Sequence, residues 1–366
     1  MSEVHVVIPE GIDDPAQPSG GNTYDRRVRD GLASLGWTVH EHPVPGAWPR
    51  AGAAAHAALA RAVERVPDGA VALLDGLIAS AAPEVLVPEA RRVRLVVLVH
   101  MPLGHRPPDD EADMLRAGER EVLASAAAVV TTSGWTKRRL RELYALPADR
   151  VHVGEPGVDV AAPAPGSEGG GALLCVAALT PGKGHDLLLQ GLASVGDLPW
   201  RCTCVGSLTR DPPFADRVLA LARTGGLGDR VSFPGPRTGA ELERSYAEAD
   251  LLVLASHAET YGLVVTEALA RGLPVLATEV GGVPEALGHG DGGARPGLLV
   301  PAGDAAALGA ALRSWLEDAE LRARLRRAAR GRRAKLRPWA DTASDIAGVV
   351  ELAAVNRHLG HAGAAR

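Results

Sequence analysis

Leu251-Leu252-Val253-Leu254-Ala255-Ser256-His257-Ala258-Glu259-Thr260-Tyr261-Gly262-Leu263-Val264-Val265-Thr266-Glu267-Ala268 runs from one apolar block through a short turn into a second. Leu251–Leu254 is aliphatic throughout, as a strand buried on both faces of a parallel sheet must be. The second block reads as a helix starting near Tyr261, apolar except for Thr266 and Glu267. A loop between a parallel strand and its helix lies at the strand's carboxyl end, where open α/β sheets bind ligands. Glu267, among Val264, Val265, Ala268 and Leu269, is partly desolvated and needs hydrogen-bond partners. Ribose hydroxyls would serve, as would a neighbouring Arg or a backbone amide, and the residues alone leave both open. The amides of Gly262, Leu263 and Val264 form a helix N-terminus suited to a diphosphate.

The same alternation extends in both directions. Expected strands in the first half are Val4–Ile8, Val39–His42, Val71–Leu74, Leu95–Val99 and Ala128–Thr132. In the second half they are Leu173–Ala177, Arg201–Val205, Val231–Phe233, Leu251–Leu254, Pro274–Ala277 and Leu298–Val300. Helical patterns such as Thr23–Leu35 and Gly52–Val66 separate them, which implies α/β architecture with parallel sheets covered on both faces. A Pro/Gly/Ser-rich stretch from Gly157 to Gly171 reads as an interdomain linker. The expected organisation is two doubly wound, Rossmann-like domains, 1–158 and 159–338, facing a central cleft. The remainder, 339–366, is expected to return to the first domain through a helix over Trp339–Leu359.

Composition narrows the function. At 366 residues the chain suits two domains, and a net charge of -5 gives nucleic acid and anionic membrane no electrostatic purchase. No run of about 18 apolar residues occurs and the N-terminus lacks a signal segment, so a cytoplasmic protein without an integral membrane segment is expected. Cys175, Cys202 and Cys204 show no metal spacing and read as reduced core thiols. Among 39 basic residues only Lys137, Lys183 and Lys335 are lysines.

Lys183 stands between Gly182 and Gly184 after the strand ending at Ala177. A compact point charge in an arginine-dominated chain suits phosphate, although any single turn lysine is more often merely exposed. Gly20-Gly21, followed by Asn22 and Tyr24, opens the first helix and lets backbone approach a ligand closely. His100, followed by Met101, lies just past a strand end. There is no Asp-x-Asp triplet, Gly-x-Gly-x-x-Gly fingerprint, P-loop or Gly-x-Ser-x-Gly elbow, so neither a metal-held diphosphate nor a nicotinamide cofactor is indicated.

Glu259-x7-Glu267 enclosing Tyr261-Gly262, with Thr132-Ser133, Lys137, Gly157-Val158-Asp159, Lys183-Gly184, Gly281-Gly282-Val283-Pro284-Glu285 and Gly297–Pro301, resembles the retaining glycosyltransferases of GT-B fold, family 4. The resemblance implies a hexosyltransferase moving a glucose-type sugar from a UDP-sugar to a small soluble acceptor, with no metal or other cofactor. It implies that Glu259 and His100 act on the donor sugar. Glu267 would bind the ribose and Lys183 the diphosphate. Gly20, Gly21, Tyr261, Gly262, Leu263 and Val264 would complete the donor site, with Arg237 beside the base. Asn22, Tyr24 and Met101 fall on the acceptor side. The expected partners are the donor and a small-molecule acceptor, with homo-oligomer formation left open. Ala178 departs from the family's Val-Gly-Arg-Leu pattern, which puts Arg there. Arg201 or Arg237 would then replace it, or the diphosphate is held more loosely, or transfer is lost. The other readings are a catalytically silent sugar-nucleotide-binding protein and an epimerase or phosphorylase of similar fold.

Overall fold

Uninterrupted aliphatic runs such as Val71–Leu74 and Leu251–Leu254 bury on both faces, and this forces helices onto both sides of each sheet. The computed structural model describes residues 2–14, 18–105 and 110–355. They fall into two compact units, Met1–Asp13 with Gly21–Gly157 and Trp339–Arg366, and Asp14–Gly20 with Val158–Pro338.

The first unit contains β1 (Glu3–Pro9), β2 (Thr38–Val44), β3 (Val71–Asp75), β4 (Arg94–Val99), β5 (Ala128–Thr131) and β6 (Val151–Val153), paired in parallel in the order β2-β1-β3-β4-β5-β6. Leu59, Val63, Leu86, Leu123 and Leu140 fill one face. Tyr24, Val28, Leu32, Ile346 and Val350 fill the other. Each such aliphatic side chain contributes about 1.5–3 kcal/mol of burial. The helix Trp339–Val355 therefore belongs to this sheet, fixed further by Thr342 donating to the Glu155 carbonyl at 2.7 Å. The end of the expected Trp339–Leu359 segment, from residue 356, lies outside the described residues.

The second unit contains β7 (Ala172–Val176), β8 (Arg201–Val205), β9 (Val231–Gly235), β10 (Leu251–Leu254), β11 (Val275–Thr278) and β12 (Gly297–Val300), parallel in the order β12-β11-β10-β7-β8-β9. Cys175, Cys202 and Cys204 are free and buried in its core. In both units the chain winds outward in two directions, and ligand crevices open where the winding reverses. That point lies between β1 and β3 in the first sheet and between β7 and β10 in the second. Among the described residues no helix is long and apolar enough to cross a membrane.

Two features differ from the sequence reading. The three-residue edge strand β6 was not foreseen. The stretch read as a linker is anchored to the second unit: Ala164 donates to the Arg271 carbonyl, Ser167 bonds the Asp250 carboxylate, and Trp315 donates to the Gly170 carbonyl. Its small residues allow close packing rather than freedom.

On β1 and β2, His5, His40 and His42 stack, with centroids 4.7 and 5.2 Å from that of His5, and His5 Nδ1 is 2.9 Å from His42 Nε2. Burial, then the neighbouring imidazoles, lowers the His5 pKa; burial, then Arg65, lowers that of His42. A histidine held neutral on folding contributes fully above its unfolded pKa of about 6.5 and loses that contribution as pH falls through it. Urea midpoints should drop between pH 7.5 and 5.5, and by less in His5→Leu.

Candidate functional site

At the carboxyl end of β7, Thr180 leads into a single 3-10 turn, Pro181–Lys183. Gly184 follows at φ +63°, where a β-carbon would stand 2.0 Å from the Ala255 carbonyl oxygen. The His257 amide donates to the Gly182 carbonyl, so the loops after β7 and β10 are stitched together across the switch point. Lys183 Nζ consequently lies 2.6 Å from Glu259 Oε1, which also accepts from Ser256 Oγ at 2.8 Å. Behind Glu259, the Gly282 amide donates to the Glu259 carbonyl at 3.1 Å. A β-carbon on Gly281 would stand 1.6 Å from that same oxygen. The Gly281-Gly282 pair is thus the backing against which the Glu259 loop is shaped.

The helix Leu263–Ala270 starts at Gly262, which sits at φ +94° and supplies no side-chain cap, leaving the first amides to other partners. On this helix Glu267 Oε2 accepts from the buried Tyr246 hydroxyl at 2.7 Å. Burial raises the Glu267 pKa, against the Tyr246 bond and the Arg271 charge. Arg271 lies over the Tyr246 ring and donates to the Glu267 carbonyl, completing the support. The partner is therefore a tyrosine rather than the Arg or amide weighed from sequence. Tyr261 is buried. Arg237 follows β9, two strands out from β7, and bonds Ser245 at 2.8 Å.

Arg201 cannot stand in for an Arg at Ala178. It opens β8 in register with Ala172, four residues before Val205, so it projects at the amino edge, roughly 13 Å from the carboxyl edge at ~3.3 Å per residue. The sequence reading overlooked Arg210. The loop after β8 packs directly on Ala178: Leu179 donates to the Ser207 carbonyl at 2.9 Å, and a β-carbon on Gly206 would meet the Ala177 oxygen at 1.9 Å. Arg210 is exposed on this loop, three residues beyond Ser207 and just before Asp211, which caps the next helix.

In the first unit, His100 follows β4 and its Nε2 lies 2.8 Å from Asp25 Oδ1 and 3.4 Å from Asp75 Oδ2. Asp75 ends β3 and caps the next turn through Leu77 and Ile78 amides. Gly20 is the first residue of the helix Gly20–Ser34, and a β-carbon on Gly21 would touch the His100 ring at 3.4 Å. Asn22 lies in this first turn. Tyr24, expected on the acceptor side, is instead a core residue: it is 1% exposed, its hydroxyl donates to the Gly154 carbonyl, and its ring meets His100 edge-on at 5.3 Å. Met101 is exposed. Beyond it, buried Glu119 accepts from the Leu103 and Gly104 amides, Ser80 and Tyr144, shaping the loop after His100. Asp25, Asp75 and Glu119 were not singled out in the sequence, although Asp75 closes an all-apolar run.

Among the described residues, Asp25, Asp75 and His100 are the one trio of His, Cys, Asp or Glu side chains close enough to hold a metal ion. The 2.8 Å nitrogen–oxygen separation is that of a charge-assisted hydrogen bond.

Two doubly wound parallel sheets, each with charged side chains at its switch point, define the class. Residues 2–157 match the family described as Glycosyl transferase 4-like domain and residues 164–332 that described as Glycosyl transferases group 1, and the chain belongs to this glycosyltransferase family. It is 36% identical over 256 residues to the D-inositol 3-phosphate glycosyltransferase of Kineococcus radiotolerans, covering 62% of this chain and 57% of that protein. It is 33% identical over 261 residues to that of Acidothermus cellulolyticus, covering 66% and 56%. The chain thus spans less than two thirds of these relatives' length. The fold is GT-B: sucrose-phosphate synthase from Thermosynechococcus elongatus aligns with TM-score 0.77 at 22% identity, covering 96% of this chain and 98% of that one. Anabaena HepE in complex with UDP-glucose aligns with TM-score 0.75 at 18% identity, covering 96% and 100%.

Proposed function

We propose that the chain transfers a hexose from a UDP-sugar to a small soluble acceptor, with retention of configuration and without a metal ion. The Lys183–Glu259 pair at the switch point of the second sheet carries this reading. As the diphosphate binds, Lys183 exchanges Glu259 for phosphate oxygens, and the released Glu259 accepts hydroxyls of the donor sugar. Glu267, with Oε2 held by Tyr246, offers Oε1 to the ribose, and Arg237 flanks the base. The amides of Gly262, Leu263 and Val264 receive phosphate oxygens. The acceptor oxygen attacks the sugar carbon on the face the diphosphate leaves, and its proton passes to the departing phosphate oxygen. The protein's contribution is positioning and stabilisation of the leaving charge. Names of relatives support the substrates: D-inositol 3-phosphate is a small soluble polyol, and HepE is seen with UDP-glucose.

Because Glu259 neutralises Lys183 at rest, a second cation is needed for the diphosphate, and Arg210 supplies it. Calorimetry with UDP and uridine tests this. Lys183→Ala should weaken UDP by about 10–100-fold, the range for a charged hydrogen bond, and leave uridine nearly unchanged. Arg210→Gln should weaken UDP by roughly 2–5-fold, as an exposed charge does, with the loss shrinking at high salt. Equal losses for UDP and uridine in Lys183→Ala would remove the assignment. Binding without turnover of any sugar donor would favour a silent sugar-nucleotide binder.

A further inference from the structure

The first sheet's switch point holds more negative charge than one histidine normally faces. His100, Asp25 and Asp75 have side chains only 13%, 3% and 3% exposed. Asp25 Oδ2 is buried without a hydrogen-bond partner. Asp25 and Asp75 also line a cavity of about 10 Å³, close to the minimum that holds one water, whose other walls are Val6, Ile8, Val28, Leu73, Leu74 and Leu98. Two buried carboxylates beside one imidazole cannot both ionise without a cation, and the ring is the one group there able to become one.

We propose that Asp25 and Asp75 are positioning residues that hold His100 as an imidazolium. Its Nε2–H is committed to Asp25, so Nδ1–H is a fixed donor toward a substrate oxygen and never a proton acceptor. This deepens the proposed function and rests on it only for the identity of that oxygen. Burial alone would lower the His100 pKa, but the Asp25 charge and hydrogen bond, with Asp75 behind them, raise it to about 9. Asp75 is pushed up to about 7, first by burial and then by the Asp25 charge. The helix Gly20–Ser34 presents Asp25 and the committed Tyr24 hydroxyl, and β3 presents Asp75; no other charged side chain among the described residues acts on the ring.

The test is nitrogen-15 NMR of the imidazole rings from pH 6 to 10 without any substrate, with His100→Gln to assign the signals. His100 should be doubly protonated at pH 7.5 and titrate near pH 9. Asp25→Asn should bring the midpoint below pH 8, and Asp75→Asn should lower it by less. In the same variants the basic limb of kcat against pH should move with the NMR midpoint. A neutral His100 ring at pH 7.5 in the wild-type protein overturns the proposal even if neither variant folds. So does a midpoint unmoved in Asp25→Asn, or displacement of the ring proton by added Mn²⁺ or Zn²⁺. The NMR readings require no donor binding, so the proposal and the donor-site assignment fail separately.

Discussion

Glu259→Gln should remove nearly all transfer while leaving the protein folded and still able to bind UDP. The substitution keeps the shape of the side chain and an oxygen that can accept from Ser256 and Lys183, both of which now bond Glu259 Oε1. It removes the negative charge with which, in the proposed mechanism, Glu259 holds the donor sugar's hydroxyls. Loss of one preorganised electrostatic group of this kind costs about 10²–10³ in kcat. Stability should change little. The Lys183 side chain is 30% and that of Glu259 10% exposed, so the pair is partly screened; because Gln keeps both hydrogen bonds, the lost charge costs about 1 kcal/mol. For a unit of this size that is a Tm change of roughly 2–4 °C at most. UDP affinity should hold or rise a few-fold, because Lys183 no longer has a charged competitor for the phosphate. This opposition between turnover and affinity separates the reading from a generic active-site lesion. Turnover within tenfold of wild type, or a fall in UDP affinity matching the fall in turnover, would place Glu259 outside the donor-sugar site.

Much of this was legible beforehand, for identifiable reasons. Runs such as Leu251–Leu254 are too short for a helix and too apolar for an exposed strand, so nearly every strand can be read directly. Val151–Val153 escapes because a three-residue edge strand buries only Val151 and leaves His152 and Val153 half-exposed. Lys183 and Glu259 each stood out, but their 2.6 Å contact spans 76 residues and depends on Gly184 packing on Ala255, which no local pattern displays. Arg201 is instructive in the other direction. In a parallel sheet the first residue of a strand lies at the edge away from the ligands, so strand polarity alone excludes it. Tyr24 misled because a tyrosine beside Gly-Gly looks like a ligand contact, whereas its hydroxyl is used up by Gly154.

The two crevices also differ in electrical design. In the second unit a lysine and a carboxylate cancel at rest, and in the proposed function a phosphate displaces the carboxylate. In the first, two carboxylates surround one imidazole, which the proposal above holds charged. On these two proposals the Lys183–Glu259 pair exchanges partners with substrate, whereas the His100 cluster fixes a protonation state.

The largest structural effect is expected at Gly281. Its φ of +53° costs a residue with a β-carbon about 1–2 kcal/mol. That β-carbon would also stand 1.6 Å from the Glu259 carbonyl oxygen, which is backbone and cannot swing aside. Relieving the overlap must move the Glu259 loop and break the bond from the Gly282 amide, adding about 1–3 kcal/mol by analogy with other overpacked sites. Gly281→Ala should therefore lower the Tm of the second unit by roughly 5–15 °C and weaken UDP-sugar binding, because the displaced segment carries Glu259 and leads into the helix at Gly262. Gly292→Ala is the control. Its φ is +64° and nothing lies within 4 Å of the added carbon, so only the backbone cost applies, roughly 2–6 °C, with donor binding unchanged. Calorimetric Tm values and UDP-glucose titrations on the two variants separate these cases. If Gly281→Ala matched Gly292→Ala in both, the close backing behind Glu259 would not be what shapes the site.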